Sequence, residues 1–403
     1  MLASLAPRPD DSLLSLIKAY EQDPRTSKID LGVGVYRNEV GATPVFAAVK
    51  EAEAHLLETQ VTKAYLGPEG DVGFVDAMAL LAMGNLPGHL SFAGVQTPGG
   101  TGALRVLIEL WQRANPDGTV WLGLPSWPVH ATILQRLGVN TQTYSHYDLA
   151  AQKPSFDALL DAASSTGRGD LLLLHGCCHN PTGADPDTAH WEKIGAALAR
   201  TGAIPLVDLA YQGLGDGIDE DTRGLRILMG HVPELLLAYS CDKNFGLYRD
   251  RVGAAYVVGA EKSANEISLG HMAEIARSCW SMPPDHGGAL VRLIMEDSRL
   301  SELWRDELDG MRMRINRIRQ VLASEGVFQN LDFGRLCSEK GMFAMLPIPP
   351  SKIERLRIEH GIYMVGNGRI NLAGLTEQQC GTFVGALRAV VFDAKSGEKG
   401  ATE

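Results

Sequence analysis

Between about residues 94 and 260 the chain alternates short apolar runs with longer stretches whose apolar residues recur at three- and four-residue spacing. The runs Thr119–Gly123 (TVWLG), Asp170–Gly176 (DLLLLHG), Ala203–Leu209 (AIPLVDL), Leu235–Ser240 (LLLAYS) and Gly253–Val258 (GAAYVV) are bounded by Gly, Pro or polar residues. Their near-continuous apolar character predicts strands buried on both faces, as in a parallel sheet covered by helices. Ala103–Arg113, Asp187–Thr201 and Thr222–Gly230 read as the intervening helices by period and terminal signals. The fold class is therefore α/β. Residues 285–324 predict one long bent helix or two in succession. Beyond them Gly341–Ile348, Gly361–Val365 and Arg369–Ala373 read as short strands and Thr376–Phe392 as a closing amphipathic helix, a smaller α+β unit. The final SGEKGATE is small and polar, which predicts disorder.

Length and composition narrow the partners. A chain of 403 residues suggests two or three domains. Its 37 Lys and Arg against 48 Asp and Glu give a net charge of −11, which argues against a nucleic-acid binder but not against small anions. Six irregularly placed cysteines are too few for a disulfide scaffold and suit a reducing compartment. The N-terminal MLASLAPRPDDSLL has neither the basic start nor the unbroken apolar stretch of a secretory signal, and no run approaches the ~20 apolar residues of a membrane span. A cytoplasmic protein with no membrane partner is expected.

In open α/β sheets ligands gather at the carboxyl ends of strands. Three such ends carry unusual polar groups: Asp208 after IPLV, Asn180 after LLLLHGCCH, and Lys243 after LLLAYSCD. A lysine at the end of a buried strand can lose its proton and form a Schiff base with a carbonyl, although most lysines are merely solvated. Gly99-Gly100-Thr101-Gly102, at the start of the helix ALRVLIELW, offers backbone N–H groups and a hydroxyl to a phosphate. A dinucleotide fingerprint is not met there, because Arg105 stands where the third glycine is required. A buried Asp208 needs a partner, and a pyridinium nitrogen or an ordinary salt bridge would serve. His175, Cys177, Cys178 and His179 match no standard zinc spacing, so no metal is expected. No Gly-x-Ser-x-Gly elbow supports a serine hydrolase.

With these residues in view, the segments IDLGVGVYRNEVGATPV, YLGPEG, PGGTGALR, PSWPVH, HNPTG, DLAYQG, SCDKNFGLYRDRVG, WSMPPDHG and GRINLAG resemble, in order and along nearly the whole chain, the aspartate and aromatic amino acid aminotransferases. These are fold-type-I pyridoxal-phosphate enzymes. The resemblance implies a large domain at residues 44–310 with a mostly parallel sheet, and a small domain from 13–43 and 311–393. It leaves an N-terminal arm at 1–12 and a tail at 394–403. It implies that Lys243 is the Schiff-base lysine and the proton-moving base. Asp208 would pair the pyridine nitrogen, Asn180 and Tyr211 the phenolic oxygen, and Trp127 would lie over the ring. Gly100, Thr101, Ser240 and Arg251 would hold the phosphate, with Tyr65 reaching in from the partner of a homodimer. His130 and His175 would stand behind Asp208. Arg369, with the Gly34 backbone, Trp127 and Asn180, would receive the substrate's α-carboxylate side. Arg277 of the other subunit would meet a distal carboxylate.

The implied reaction is ping-pong transfer of an amino group from an aromatic amino acid or aspartate to 2-oxoglutarate. The alternatives are a strictly dicarboxylic aspartate aminotransferase, a lyase, racemase or decarboxylase with the same cofactor, a binding protein without turnover, and a nicotinamide dehydrogenase. Four positions depart from the family pattern. Asp242 stands where a phosphate-binding Ser is usual, and a carboxylate beside a dianion is adverse unless it turns away, pairs with Arg251 or is protonated. Val129, Met282 and Ala64 replace amides, which predicts a more apolar pocket suited to a ring.

Overall fold

The computed structural model describes Leu2 and residues 12–392. Apart from Leu2 and Ser12, the expected arm at 1–12 lies outside the described residues, as does the tail at 394–403. The main sheet has seven strands: β1 (Ser91–Pro98), β2 (Thr119–Leu124), β3 (Asn140–Ser145), β4 (Leu171–His175), β5 (Ile204–Leu209), β6 (Glu234–Ser240) and β7 (Val252–Gly259). Their order across the sheet is β1-β7-β6-β5-β4-β2-β3. All run parallel except β7, which is antiparallel to both neighbours, β1 and β6.

The five strands expected from apolar runs are present, and β1 and β3 are additional. Both are edge strands. β3 (NTQTYS) is polar and largely exposed, because an edge with one covered face needs no apolar run. In the interior strands alternate residues feed two different cores. Leu172, Leu174, Val207, Leu235 and Leu237 pack on one side of the sheet, and Leu171, Leu173, Leu206, Leu236 and Ala238 on the other. Helix α1 (Gly99–Ala114) covers the second side with Ala103, Leu104, Leu107 and Ile108. α2 (Pro128–Leu137) follows β2, and α3 (Thr188–Thr201) and α4 (Arg223–His231) follow β4 and β5. α3 begins where expected, with the Asp187 carboxylate accepting from His190 N–H at 2.8 Å.

After α5 (Lys262–Trp280), the helical reading of 285–324 resolves into two helices, α6 (His286–Glu296) and α7 (Ser298–Ala323). Asp297 separates them and caps α7 by accepting from Leu300 N–H at 2.9 Å. α7 serves two cores. Leu300, Trp304, Leu308 and Ile315 join the first sheet core, whereas Ile318 and Leu322 join a separate cluster with Ile29, Leu31, Ile362, Ile370, Phe383 and Leu387. In that second unit Ile29–Asp30 pairs parallel with Ile362–Tyr363, and Phe343–Met345 pairs antiparallel with Arg369–Asn371. The predicted strand Arg369–Ala373 stops at Asn371 and continues as a 3₁₀ turn, Leu372–Gly374, which the Asn371 side chain caps at Ala373 N–H. The closing helix α8 spans Glu377–Phe392. Among the described residues no helix is long and apolar enough to cross a membrane.

Candidate active site

The topology delivers six strand ends to one edge of the sheet. β1, β2, β4, β5 and β6 run parallel, so their carboxyl ends share that edge, and the antiparallel β7 starts there. An open cavity of about 280 Å³ lies at this edge. Of the expected residues, Gly34, Gly100, Thr101, Trp127, His175, Asn180, Asp208, Tyr211, Ser240, Lys243, Arg251 and Arg369 all line it. Tyr65 and Arg277 do not. Tyr65 is 92% exposed, and Arg277 is exposed in the last turn of α5.

At the end of β1 the chain turns through Gly99 (φ 71°) straight into α1. A Cβ at Gly99 would stand 2.5 Å from Arg251 Nη2, and one at Gly100 would stand 3.1 Å from Ser240 Cβ, so the backbone approaches both side chains closely. The N–H groups of the first turn of α1 have no intrahelical acceptor, which makes this an anion cradle. Ser240 closes β6, and Arg251 sits in the left-handed region (φ 57°) immediately before β7. Arg251 bonds the Asp242 carboxylate and, from Nη1, the Tyr248 carbonyl at 3.1 Å.

At the end of β4 a left-handed Cys178 (φ 51°) turns the chain toward Asn180. The Asp185 carboxylate holds that turn by accepting from Cys178 N–H at 2.6 Å and His179 N–H at 2.8 Å. Asn180 Nδ2 donates to the Tyr211 hydroxyl at 3.4 Å. Strand register sets His175 beside Asp208. Burial alone would push the Asp208 carboxyl up. The 2.9 Å hydrogen bond from His130 Nε2, with the nearby histidines and Lys243, outweighs this and holds it below the usual range. Ser126 Oγ links His130 Nδ1 at 2.9 Å to His175 Nε2 at 3.2 Å. Burial pushes His175 down to about 3, so that ring is neutral.

Lys243 extends over the Tyr211 ring, with Nζ 5.1 Å from its centroid. Burial lowers its pKa, opposed by Asp242 and Asp208 and assisted by Arg251. Burial raises the Tyr211 phenol, which stays protonated. Opposite stands Arg369, whose Nη2 donates to the Gly32 carbonyl at 2.7 Å and whose guanidinium lies 4.8 Å from the Phe343 ring centroid. A Cβ at Gly34 would strike that ring at 2.9 Å, so the small residue lets the backbone reach the cavity.

Sequence reasoning gave no role to Tyr248, Ala210 or Phe343, which also line the cavity. Tyr248 and Ala210 lay inside recognised segments, whereas Phe343 had no signal beyond a strand pattern. The three apolar replacements do not line the cavity either. Val129 packs against the sheet core, Ala64 is exposed, and the Met282 sulfur accepts from Leu66 N–H at 3.2 Å. The expected effect of these positions on pocket polarity therefore does not operate within this chain. Cys177, Cys178 and Asp221 converge elsewhere. The Asp221 carboxylate already accepts from the N–H groups of Gly213, Gly215 and Asp216, and burial raises both thiols, which disfavours the thiolates a metal needs.

The cavity fits pyridoxal 5′-phosphate. Asn180 Oδ1 and Arg369 Nε are buried without a partner, so two polar atoms await a ligand. The cradle matches a phosphate, the ionised Asp208 a ring N–H, and Lys243 an aldehyde. Comparison with known proteins agrees. The sequence model described as "Aminotransferase class I and II" matches residues 26–387. Tyrosine aminotransferase of Rhizobium meliloti is 48% identical over 97% of this chain and 100% of its own. Aspartate aminotransferase of Escherichia coli is 38% identical over 97% and 100%. An aromatic-amino-acid aminotransferase from Burkholderia pseudomallei, solved covalently bound to pyridoxal phosphate, superposes with a TM-score of 0.91 at 31% identity, covering 97% of this chain and 99% of that one. The chain belongs to the class I and II aminotransferases, enzymes that use pyridoxal 5′-phosphate to transfer amino groups.

Proposed function

We propose that the protein transfers the amino group of an aromatic amino acid or aspartate to 2-oxoglutarate, as a cytoplasmic homodimer. The observation that carries this reading is Arg369. Its buried guanidinium has a free Nε, faces the same cavity as Lys243, and matches the α-carboxylate common to all amino acids. When bound, the cofactor supplies an electron sink for the bond broken at the substrate's Cα. Lys243 Nζ, its proton affinity lowered by burial, takes the proton from Cα and returns it on the other side of the exchange. Asp208, held ionised by His130, would keep a proton on the ring nitrogen. Asn180 and the protonated Tyr211 would donate to the phenolic oxygen, and Trp127 would shield the ring from water. Gly100, Thr101, Ser240 and Arg251 would hold the phosphate.

In this reading residues 44–310 carry the cofactor groups, while the unit of 13–43 and 311–393 carries Arg369 and Gly34. Tyr65 and Arg277 act in the partner's site, which accords with their exposure here. Phe343 and Trp127 offer apolar faces to a substrate ring, and relatives bear both tyrosine and aspartate aminotransferase names. A panel of tyrosine, phenylalanine and aspartate with 2-oxoglutarate tests the proposal on wild type and Arg277→Ala. Loss of one distal ion pair should lower kcat/KM for aspartate by about 100-fold or more and for tyrosine by about threefold or less. Equal loss for both refutes the two-mode pocket. A wild type active only with aspartate establishes the strictly dicarboxylic alternative.

A further inference from the structure

The phosphate cradle contains an anion of its own. Asp242 lies two residues beyond Ser240 and immediately before Lys243, and only 5% of its surface is exposed. Its Oδ2 bonds Arg251 and its Oδ1 has no partner. A Cβ built on Gly99 would lie 2.5 Å from Arg251 Nη2 and 3.4 Å from Asp242 Oδ1. The guanidinium and the carboxylate therefore both stand against the start of α1, where the cofactor's phosphate has to sit. Asp242 N–H also takes the Ser240 hydroxyl as acceptor at 3.3 Å. The charged and titratable groups that feel Asp242 are Arg251, Lys243, the Tyr248 hydroxyl and the Cys241 thiol.

We propose that Asp242 is a built-in competitor for the phosphate of the cofactor: its carboxylate engages Nη1 of Arg251 in the cradle, offsets the guanidinium's charge and opposes the incoming dianion. The inference rests on the cofactor assignment but not on the choice of substrate. Its physical basis is charge count. Arg251 is the one arginine among the residues lining this end of the cavity, and Asp242 cancels its formal charge. Asp242 engages Nη1 of Arg251, while Nη2 faces Gly99 and stays available to the phosphate beside the backbone N–H groups and the hydroxyls of Thr101 and Ser240. The phosphate then meets a guanidinium already shared with a carboxylate whose other oxygen stands at the same helix start, so the charge assistance of that contact is reduced and the cradle holds phosphate more weakly and exchanges it faster. For the same reason free phosphate should not block loading.

The test uses wild type, Asp242→Ser and the isosteric Asp242→Asn. Transfer of pyridoxal phosphate from each holoenzyme to an excess of an apo-acceptor is followed by the cofactor's absorbance. Reloading of each apoenzyme is then followed with and without inorganic phosphate. The expected result is about tenfold slower cofactor loss in both variants, the effect of restoring one charge-assisted contact. Inorganic phosphate should slow reloading of both variants while leaving wild type nearly unaffected. Loss rates and phosphate sensitivity within twofold of wild type, in variants with unchanged melting temperatures, overturn the proposal. So does an effect confined to Asp242→Ser, which would assign it to the hydroxyl and not the charge. A wild-type apoenzyme that takes up no pyridoxal phosphate would instead overturn the cofactor assignment, a result distinguishable from either.

Discussion

Arg369→Lys is the most informative single change in the substrate pocket, because it keeps the charge and removes the fork. In the structure Nη2 is committed to the Gly32 carbonyl at 2.7 Å, Nε is buried and free, and the ring of Phe343 supports the guanidinium plane at 4.8 Å. The arginine can thus hold its scaffold with one edge and present another to a carboxylate. A lysine has one nitrogen for both tasks and no plane to lay on the ring. If its ammonium donates to both, it gives the carboxylate one contact where the guanidinium fork gives two, and if it reaches only one of them, the other goes without. Either way one hydrogen bond to a charged group disappears, about 1.5–3 kcal/mol. At 1.36 kcal/mol per decade this is a fall of roughly 10- to 150-fold in kcat/KM. The assay is steady-state kcat/KM for tyrosine, phenylalanine and aspartate at fixed 2-oxoglutarate, with melting temperature as a folding control. Since every donor carries the α-carboxylate, all three should fall by the same factor. A folded variant that loses less than threefold, or loses aspartate alone, refutes the assignment of Arg369 to the α-carboxylate.

Two further perturbations address the reacting proton and the histidines. Lys243→Ala should lower the rate of amino transfer by at least about 10²–10⁴-fold, the range for a positioned base. Single-turnover absorbance of the loaded enzyme measures this, and a wild-type rate would exclude Lys243 as the base. His146 and His179 stack at 3.8 Å, and burial pushes His146 down to about 4 and His179 well below its usual value. A depressed histidine stabilises the fold above its unfolded pKa of about 6.5, and that contribution is lost as pH falls through the window toward 4, at up to about 1.4 kcal/mol per pH unit per ring. Urea midpoints measured from pH 7 to 4 should fall less steeply for His146→Phe than for wild type, and parallel profiles would contradict this.

Much of the architecture was legible because interior strands announce themselves. LLLLH and IPLVDL are apolar on both faces, since helices cover both. The edge strand β3 was not legible, because NTQTYS obeys only hydrogen bonding to β2, which leaves no apolar trace. The break at Asp297 was half legible: the helical period runs through it, and only the capping carboxylate shows where one helix ends. At the site, Asp208, Asn180 and Lys243 stood out as polar groups closing apolar runs, a signal that needs no partner to be read. Their roles came instead from the resemblance of ordered motifs. Phe343 was invisible, because its importance comes from a contact with Gly34 across 309 positions of sequence. The pairing of Asp242 with Arg251 was left open among three alternatives, since only the antiparallel return of β7 brings position 251 back to the end of β6.

That return also bears on the charge of the site. A net charge of −11 is a property of the whole chain, most of it on a surface where fields decay within a Debye length of about 8 Å. The cavity lining carries Lys243, Arg251 and Arg369 against Asp208 and Asp242, a balance of the opposite sign. Burial lowers the proton affinity of both Lys243 and Arg369, which is the signature of cations kept short of water. In such surroundings each cation acts on a nearby phosphate or carboxylate more strongly than any exposed residue can. The two carboxylates are not equivalent in this balance. Asp208 is answered by His130 behind it and by the ring nitrogen expected in front, so its charge is spent on holding one proton in place. Asp242 is answered in direct contact by Arg251, the cation a phosphate would otherwise claim, and at longer range by Lys243. The acidic shell therefore says little about the chemistry of this enzyme, whereas a single buried acid, two residues past a strand end, sets how tightly it keeps its cofactor.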